Sequence, residues 1–165
     1  MYSNLKIRRI RAEDRDDIMA IYKSSRAFMA ENGNPDQWGD DYPGIEEVEA
    51  LIEKDGYVVA GNDKAVAVFA FSDHDDAYDA IKGAWLDDSP YGVIHMLASG
   101  GTRAGAGQFV LDHCLNMTGN IRIDTHKDNI PMQRLLEKNG YVYCGTVTFE
   151  YRGERLAFQK IKGYT

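Results

Sequence analysis

The chain has 165 residues and a formal net charge of -7, from 26 Asp and Glu against 19 Lys and Arg. That length suits one domain, over residues 1–165, with a core large enough to need neither disulfide nor metal; 44% apolar and 27% charged residues exclude a disordered chain. An acidic surface repels phosphate backbones and argues against nucleic acid as a partner.

Cys114 and Cys144 form no CxxC and join no His cluster, which argues against zinc and predicts two reduced thiols. The first 17 residues are heavily charged and lack the apolar stretch of a signal peptide. No apolar run approaches the roughly 18 residues of a membrane span. The expectation is a soluble, cytoplasmic protein with no metal and no membrane contact.

In chain order, residues 5–10 alternate loosely as a first strand. Ile18, Ile21, Tyr22, Ser25, Phe28 and Met29 then fall on one face of a helix, with Glu13, Asp14, Asp16 and Asp17 at the end where the helix dipole favours anions. A turn-rich loop over 32–44 leads to a short helix with Val48, Leu51 and Ile52 inward and Gly56 as its stop. Strands 57–60 and 64–71 flank Gly61-Asn62-Asp63, a hairpin signal. Residues 72–79 read as an acidic loop in which Asp73, Asp75, Asp76 and Asp79 are solvated; the alternative is a rim that attracts a cation. A strand over 93–98, a glycine-rich loop, a helix over 108–117, a strand over 121–126 and a helix over 131–139 follow, the last with Pro in its first turn. Strands 141–151 and 155–161 close the chain as a hairpin over Arg152-Gly153-Glu154. The order β-α-α-β-β-β-α-β-α-β-β is that of an α/β protein with helices packed on a mixed sheet.

The sharpest local signal is the passage from strand VIHMLAS through GGTRAGAG into helix QFVLDHC. A glycine loop at a helix N-terminus presents backbone amides and partial positive charge to an anion. It lacks the GKS or GKT of a P-loop and the third glycine of a dinucleotide fingerprint. A nucleotide-binding protein is therefore the weaker rival, since neither a Walker lysine nor an acidic ribose ligand is present.

A second signal, IRIDTHKDNIPMQRLLEKNGYVYCG, reads as strand, loop, helix, glycine turn and strand. With these two passages the chain resembles the GNAT superfamily of acetyl-CoA-dependent N-acetyltransferases, and the element order extends the resemblance over essentially the whole chain. The family loop Q/R-x-x-G-x-G/A corresponds to Thr102, Arg103, Ala104, Gly105, Ala106 and Gly107. The later family motif corresponds to Asp124, Asn129, Met132, Leu135, Leu136, Lys138, Gly140 and Tyr141. The implied fold is a mixed, mostly antiparallel sheet splayed at its centre, with helices on both faces.

The resemblance also implies roles. The strand at His95, Met96 and Leu97 would hold the pantetheine arm of acetyl-CoA through its backbone, in a groove between strands 93–98 and 121–126. The 102–107 loop would cradle the pyrophosphate, and Asn129 would hydrogen-bond the cofactor. Asp124 occupies the position of a glutamate general base in one branch of the family, and His95 is a second candidate base. Trp38 and Tyr42, with Gln37, lie in the loop that borders the acceptor pocket. The acceptor would be a primary amine on a small molecule or peptide. Two positions depart from the family pattern. Thr102 replaces Gln or Arg, with Arg103 adjacent, and Leu136 replaces a tyrosine general acid, leaving water or a residue such as Tyr141 or Tyr143 to protonate the thiolate.

Magnitudes rank these departures. Deprotonating an alkyl ammonium of pKa about 10.4 at pH 7 costs roughly 4.6 kcal/mol, whereas protonating the departing thiolate is worth only about 2 kcal/mol. The base matters more than the acid. Structural readings stand beside the catalytic ones. Asp124 can tie down the following loop, His95 can be a core histidine, His126 can cap a loop, and Trp38 can simply pack. A non-catalytic acyl-CoA-binding module on the same fold is the alternative that Leu136 supports. Exposed closing strands would allow two copies to pair as a homodimer.

Overall fold

The computed structural model describes residues 4–100 and 105–164. Eight strands form one mixed sheet in the order β1-β2-β3-β5-β6-β8-β7-β4, and four α-helices cover it. The strands are β1 (Leu5–Arg9), β2 (Gly56–Gly61), β3 (Lys64–Ser72), β4 (Lys82–Gly83), β5 (Gly92–Ser99), β6 (Asn120–Thr125), β7 (Val142–Phe149) and β8 (Gly153–Ile161). The helices are α1 (Arg15–Glu31), α2 (Ile45–Glu53), α3 (Ala106–Thr118) and α4 (Ile130–Lys138). Among these strands only β5 and β6 pair in parallel. No helix of the described residues is long and apolar enough to cross a membrane.

The alternation of strand side chains separates two cores. On one face Val59, Ala67, Phe69 and Ile94 pack with Ala106, Val110 and Leu111 of α3 and Leu136 of α4. On the other, Val58, Val68 and Ala98 pack with Ile18, Ile21 and Tyr22 of α1 and Val48 and Leu51 of α2. Helices thus lie on both faces, as the resemblance implies. The periodic face of α1 does not end at the core. Phe28 is 54% exposed and, with Met29, lines a cavity at the sheet centre.

Leu136 is fully buried in the α3–α4 core and lines neither of the two central cavities. Leu136→Tyr would push a ring into that core, so it is expected to cost about 1–3 kcal/mol of stability. A lowered Tm with no gain in turnover checks this. Tyr141 is likewise buried in the core and Tyr143 is exposed against Phe158. Neither lines a cavity at the sheet centre.

Three local expectations need correction. The closing turn lies at 150–152, two residues earlier than the pattern predicts. The Arg152 amide donates to the Phe149 carbonyl, closing a turn over 149–152, and Gly153, left-handed at φ +76, follows it and pairs with Phe149. The two-residue strand β4 has no periodicity to betray it. Its Gly83 (φ +137) lies against Gly145 (φ +144) of β7 so closely that a Cβ on either would meet backbone at 2.2 or 2.1 Å. Finally, the acidic segment contains a 3-10 turn, Asp76–Ala80, because Asp75 accepts the Ala77 amide and Tyr78 is fully buried.

Candidate functional site

The site grows from a defect in the sheet. Val68 pairs with Ala98 and Ala70 with His95, so Met96 and Leu97 of β5 together face Phe69 of β3. Such a bulge leaves its extra residue out of the ladder and bends the strand. Met96 takes φ +56 to make it, and the buried Tyr22 hydroxyl of α1 holds the Met96 carbonyl at 2.8 Å. Before the bulge, β5 pairs with β6 only at Gly92 with Ile121 and Val93 with Arg122. Beyond those two pairs the strands part.

Two cavities occupy the opening. One, of about 560 Å³, runs along Leu97, Ala98 and Ser99 of β5 to Gly105 and Gly107 at the start of α3, with Leu135 and Lys138 of α4 opposite. Gly105 caps α3 with φ +86, so the helix N-terminus opens onto this groove. The other, of about 570 Å³, is lined by His95, Met96, Asp124, Trp38 and Tyr42 among others. Met29, Leu97, Asn129 and Met132 line both, so the two cavities meet there.

Most candidates from the sequence therefore converge. His95, Met96, Leu97, Asp124, Asn129, Trp38 and Tyr42 share the second cavity; Gly105 and Gly107 lie at the far end of the first. Ala106 is buried in the α3 core. Thr102, Arg103 and Ala104 lie outside the described residues. Trp38 packs edge-on against Tyr22 at 5.6 Å between ring centres while lining the cavity. Asn129 caps α4 by accepting the Met132 amide at 3.2 Å, and its amide donates to Gln37 Oε1 at 3.0 Å. His126 stays local, its Nδ1 accepting the Asp128 amide.

The polar centre is a chain of four groups. Asp75 Oδ2 lies 2.7 Å from His95 Nε2, His95 Nδ1 lies 3.9 Å from Asp124 Oδ2, and the Tyr78 hydroxyl donates to that same oxygen at 2.6 Å. Burial pushes the Asp124 pKa above the usual carboxylate value, against the opposing pull of His95, Tyr78 and Arg155. Burial lowers the His95 pKa, but Asp75 and Asp124 outweigh it and hold it above the ordinary histidine value. Burial and the Asp124 charge keep Tyr78 well above the usual phenol value, so it stays a neutral donor. For Asp75, hydrogen bonds from His95 and the Ala77 amide overcome burial and lower the pKa. Below the titration of His95, the centre is an imidazolium held between two carboxyl groups, Asp75 with a lowered pKa and Asp124 with a raised one.

The expectation of a solvated acidic run thus holds for three of its four aspartates. Asp73, Asp76 and Asp79 are exposed, but Asp75 turns inward to His95. Tyr78 and Asp75 went unread as site residues because charge dominates their segment. The apolar aromatic inside DDAYDA was the available signal. Arg155 was missed as well. It is buried on β8 and lines the Asp124 cavity.

The sequence matches no family model and no curated protein. Solved structures do match. An acetyltransferase of the GNAT family from Streptococcus agalactiae 2603 is 32% identical, with a TM-score of 0.86 over 98% of each chain. The protein yncA from Salmonella typhimurium, solved with its cofactor acetyl-CoA, has a TM-score of 0.64 at 14% identity, over 99% of this chain and 96% of its own. A ribosomal-protein-alanine N-acetyltransferase from Brucella melitensis has a TM-score of 0.63 at 16% identity, over 94% of this chain and 99% of its own. The last two likenesses concern the fold alone.

Proposed function

This chain belongs to the GNAT family of acetyltransferases, and from that premise we propose that it transfers the acetyl group of acetyl-CoA to a primary amine by direct attack. The observation that carries the reading is the meeting of the two cavities at Leu97 and Asn129, with the raised carboxyl of Asp124 on the wall of one and the N-terminus of α3 at the end of the other. Acetyl-CoA fits the glycine-ended groove, because an anionic diphosphate suits the open amides and positive end of a helix, and a bulged strand offers unpaired backbone groups to an amide-bearing arm.

The thioester is what acetyl-CoA supplies. Gly105, Gly107 and the first turn of α3 hold its diphosphate. The β5 backbone at His95, Met96 and Leu97 holds the arm, and a freed amide near Met96 or Leu97 polarises the thioester carbonyl, as oxyanion donors do. Asp124 takes a proton from the acceptor ammonium, directly or through water, so that the amine nitrogen attacks. A C–N bond forms, the C–S bond breaks, and the second proton shed by the acylated nitrogen passes through water to the departing thiolate. His95, held by Asp75, keeps positive charge beside Asp124 and stabilises its ionised form. A cytoplasmic address for a single N-acetyltransferase domain belongs to the same proposal.

The test is thiol release from acetyl-CoA across a panel of primary amines. Amine-dependent release with an N-acetyl product is expected. Tight CoA binding with no turnover on any amine would instead favour a non-catalytic acyl-CoA-binding module. Leu136 gives that alternative no support, because it is a core residue away from both cavities.

Asn129 separates capping from ligand contact. Loss of the cap in Asn129→Ala is expected to cost about 1 kcal/mol of stability. Because Asn129 also tethers Gln37 where the cavities join, the KM for acetyl-CoA should rise several-fold at temperatures where the variant is fully folded. An unchanged KM with a lowered Tm would leave Asn129 as a cap only.

A further inference from the structure

The Asp124 cavity carries charge of both signs, sorted by position. Asp75, His95 and Asp124 lie together, while Arg152 and Arg155 line the same cavity. Lys54 and Asp55, adjacent in sequence, add one charge of each sign and leave the balance unchanged.

Arg155 is the unusual group. It is only 5% exposed, and a buried charge is costly unless it is paired. Yet among the described residues no carboxylate lies within ion-pair distance of it. Three backbone carbonyls, those of Arg152, Glu154 and Gln37, take its hydrogen bonds. A guanidinium has five donors in a planar fork, so two remain without a partner among the described residues. Arg152 is also without a carboxylate partner among the described residues; its guanidinium stacks 3.5 Å from the centre of the Tyr42 ring. Thr125, beside Asp124 on β6, lines the cavity too, and its buried hydroxyl has no partner among the described residues.

Strand register fixes where these charges stand. Asp124 pairs with Ala157, and Arg155 is two residues from Ala157. Asp124 and Arg155 are therefore diagonal neighbours on one face of the sheet, about 7–8 Å apart at the backbone. A ligand at Asp124 has a buried, incompletely satisfied cation within a short reach.

Resting on the acetyltransferase reading, we propose that the acceptor is an amino acid: an amine that reacts at Asp124 and carries a carboxylate bound by Arg155 and Arg152. The guanidinium fork suits a carboxylate better than a lone positive charge would, and the ligand carboxylate gives Arg155 a partner at hydrogen-bond distance, whereas Asp124 acts on it only through space. Amines without an acid group, and protein N-termini whose carboxyl is locked in a peptide bond, leave Arg155 without a carboxylate at contact distance.

Matched substrates test this in the intact protein. Phenylalanine is compared with phenethylamine and its methyl ester, leucine with 3-methylbutylamine, and lysine with cadaverine, each with acetyl-CoA. The better amino acids should exceed their acid-free partners in kcat/KM by about a hundredfold, the scale of a lost charge-assisted pair of hydrogen bonds. Arg152→Ala, at an exposed position, should lower that ratio about tenfold; Arg155→Gln, if it folds, should lower it further. Acid-free amines used as well as their amino acids throughout would overturn the inference while leaving acetyl transfer intact. If no amine is turned over, the acetyltransferase reading fails separately, and calorimetry of the same pairs with CoA present still decides. Preferential binding of the amino acid upholds the inference; equal or weaker binding overturns it.

Discussion

Asp124→Asn is expected to lower kcat at neutral pH by about 10²-fold or more, the usual scale of general base catalysis. The substitution keeps the shape and the hydrogen bond to Tyr78 but removes the basicity. Its effect follows from the roughly 4.6 kcal/mol needed to free an alkyl amine from its proton at pH 7. The pH dependence follows from the raised pKa of Asp124. Wild-type kcat/KM should fall as the pH drops through that pKa, which burial raises above the ordinary carboxylate value. The variant should lack this limb and should regain activity at high pH, where free amine is abundant. Because Asp75, His95 and Asp124 interact, the limb belongs to the group as a whole. A variant with near-full activity would make Asp124 structural and pass the role of base to His95 or to a chain of waters.

Gly105→Val is expected to weaken acetyl-CoA binding by at least about 10²-fold while the chain still folds. Gly105 holds φ +86 at the cap of α3, a conformation that costs a side-chain-bearing residue about 1–2 kcal/mol. A domain with a stability of about 5–15 kcal/mol survives that. The binding site does not, since any relaxation of the backbone turns the amides away from the phosphates and a branched Cβ enters the space they need. Calorimetry reads the affinity and far-ultraviolet circular dichroism the fold. Unchanged affinity would remove the glycine loop from the cofactor site.

Periodicity and glycine placement made most of this fold legible. The face of α1, the Gly61-Asn62-Asp63 hairpin, and the two strand–loop–helix passages each have a local cause that a single sequence displays. The groove and its candidate residues were legible for the same reason, as His95, Leu97, Asn129 and Gly105 sit in or beside those passages. The acid–base partners were not. Tyr78 reaches Asp124 across 46 residues, and Asp75 reaches His95 across 20. Such contacts depend on how the sheet turns the 72–80 segment back over β5 and β6, and no local pattern encodes it. Arg155 shows the same limit. One arginine among the apolar residues of β8 looks like a surface position until the register sets it diagonally to Asp124. The unassigned β4 failed for another reason, since two residues held by a close approach of glycines carry no periodic signal.

The wall shared by the two cavities has a thermodynamic consequence. Met29, Leu97, Asn129 and Met132 face both spaces, so whatever adjustment one ligand imposes on them is already made when the other arrives. Cofactor and acceptor then do not bind as independent events. If acetyl-CoA sharpens the affinity for an acceptor by some factor, the acceptor must sharpen the affinity for acetyl-CoA by the same factor, since coupling free energy is reciprocal. An acceptor analogue that fills the Asp124 cavity should therefore hold CoA in its groove more tightly, although the two ligands touch the protein mostly through different residues.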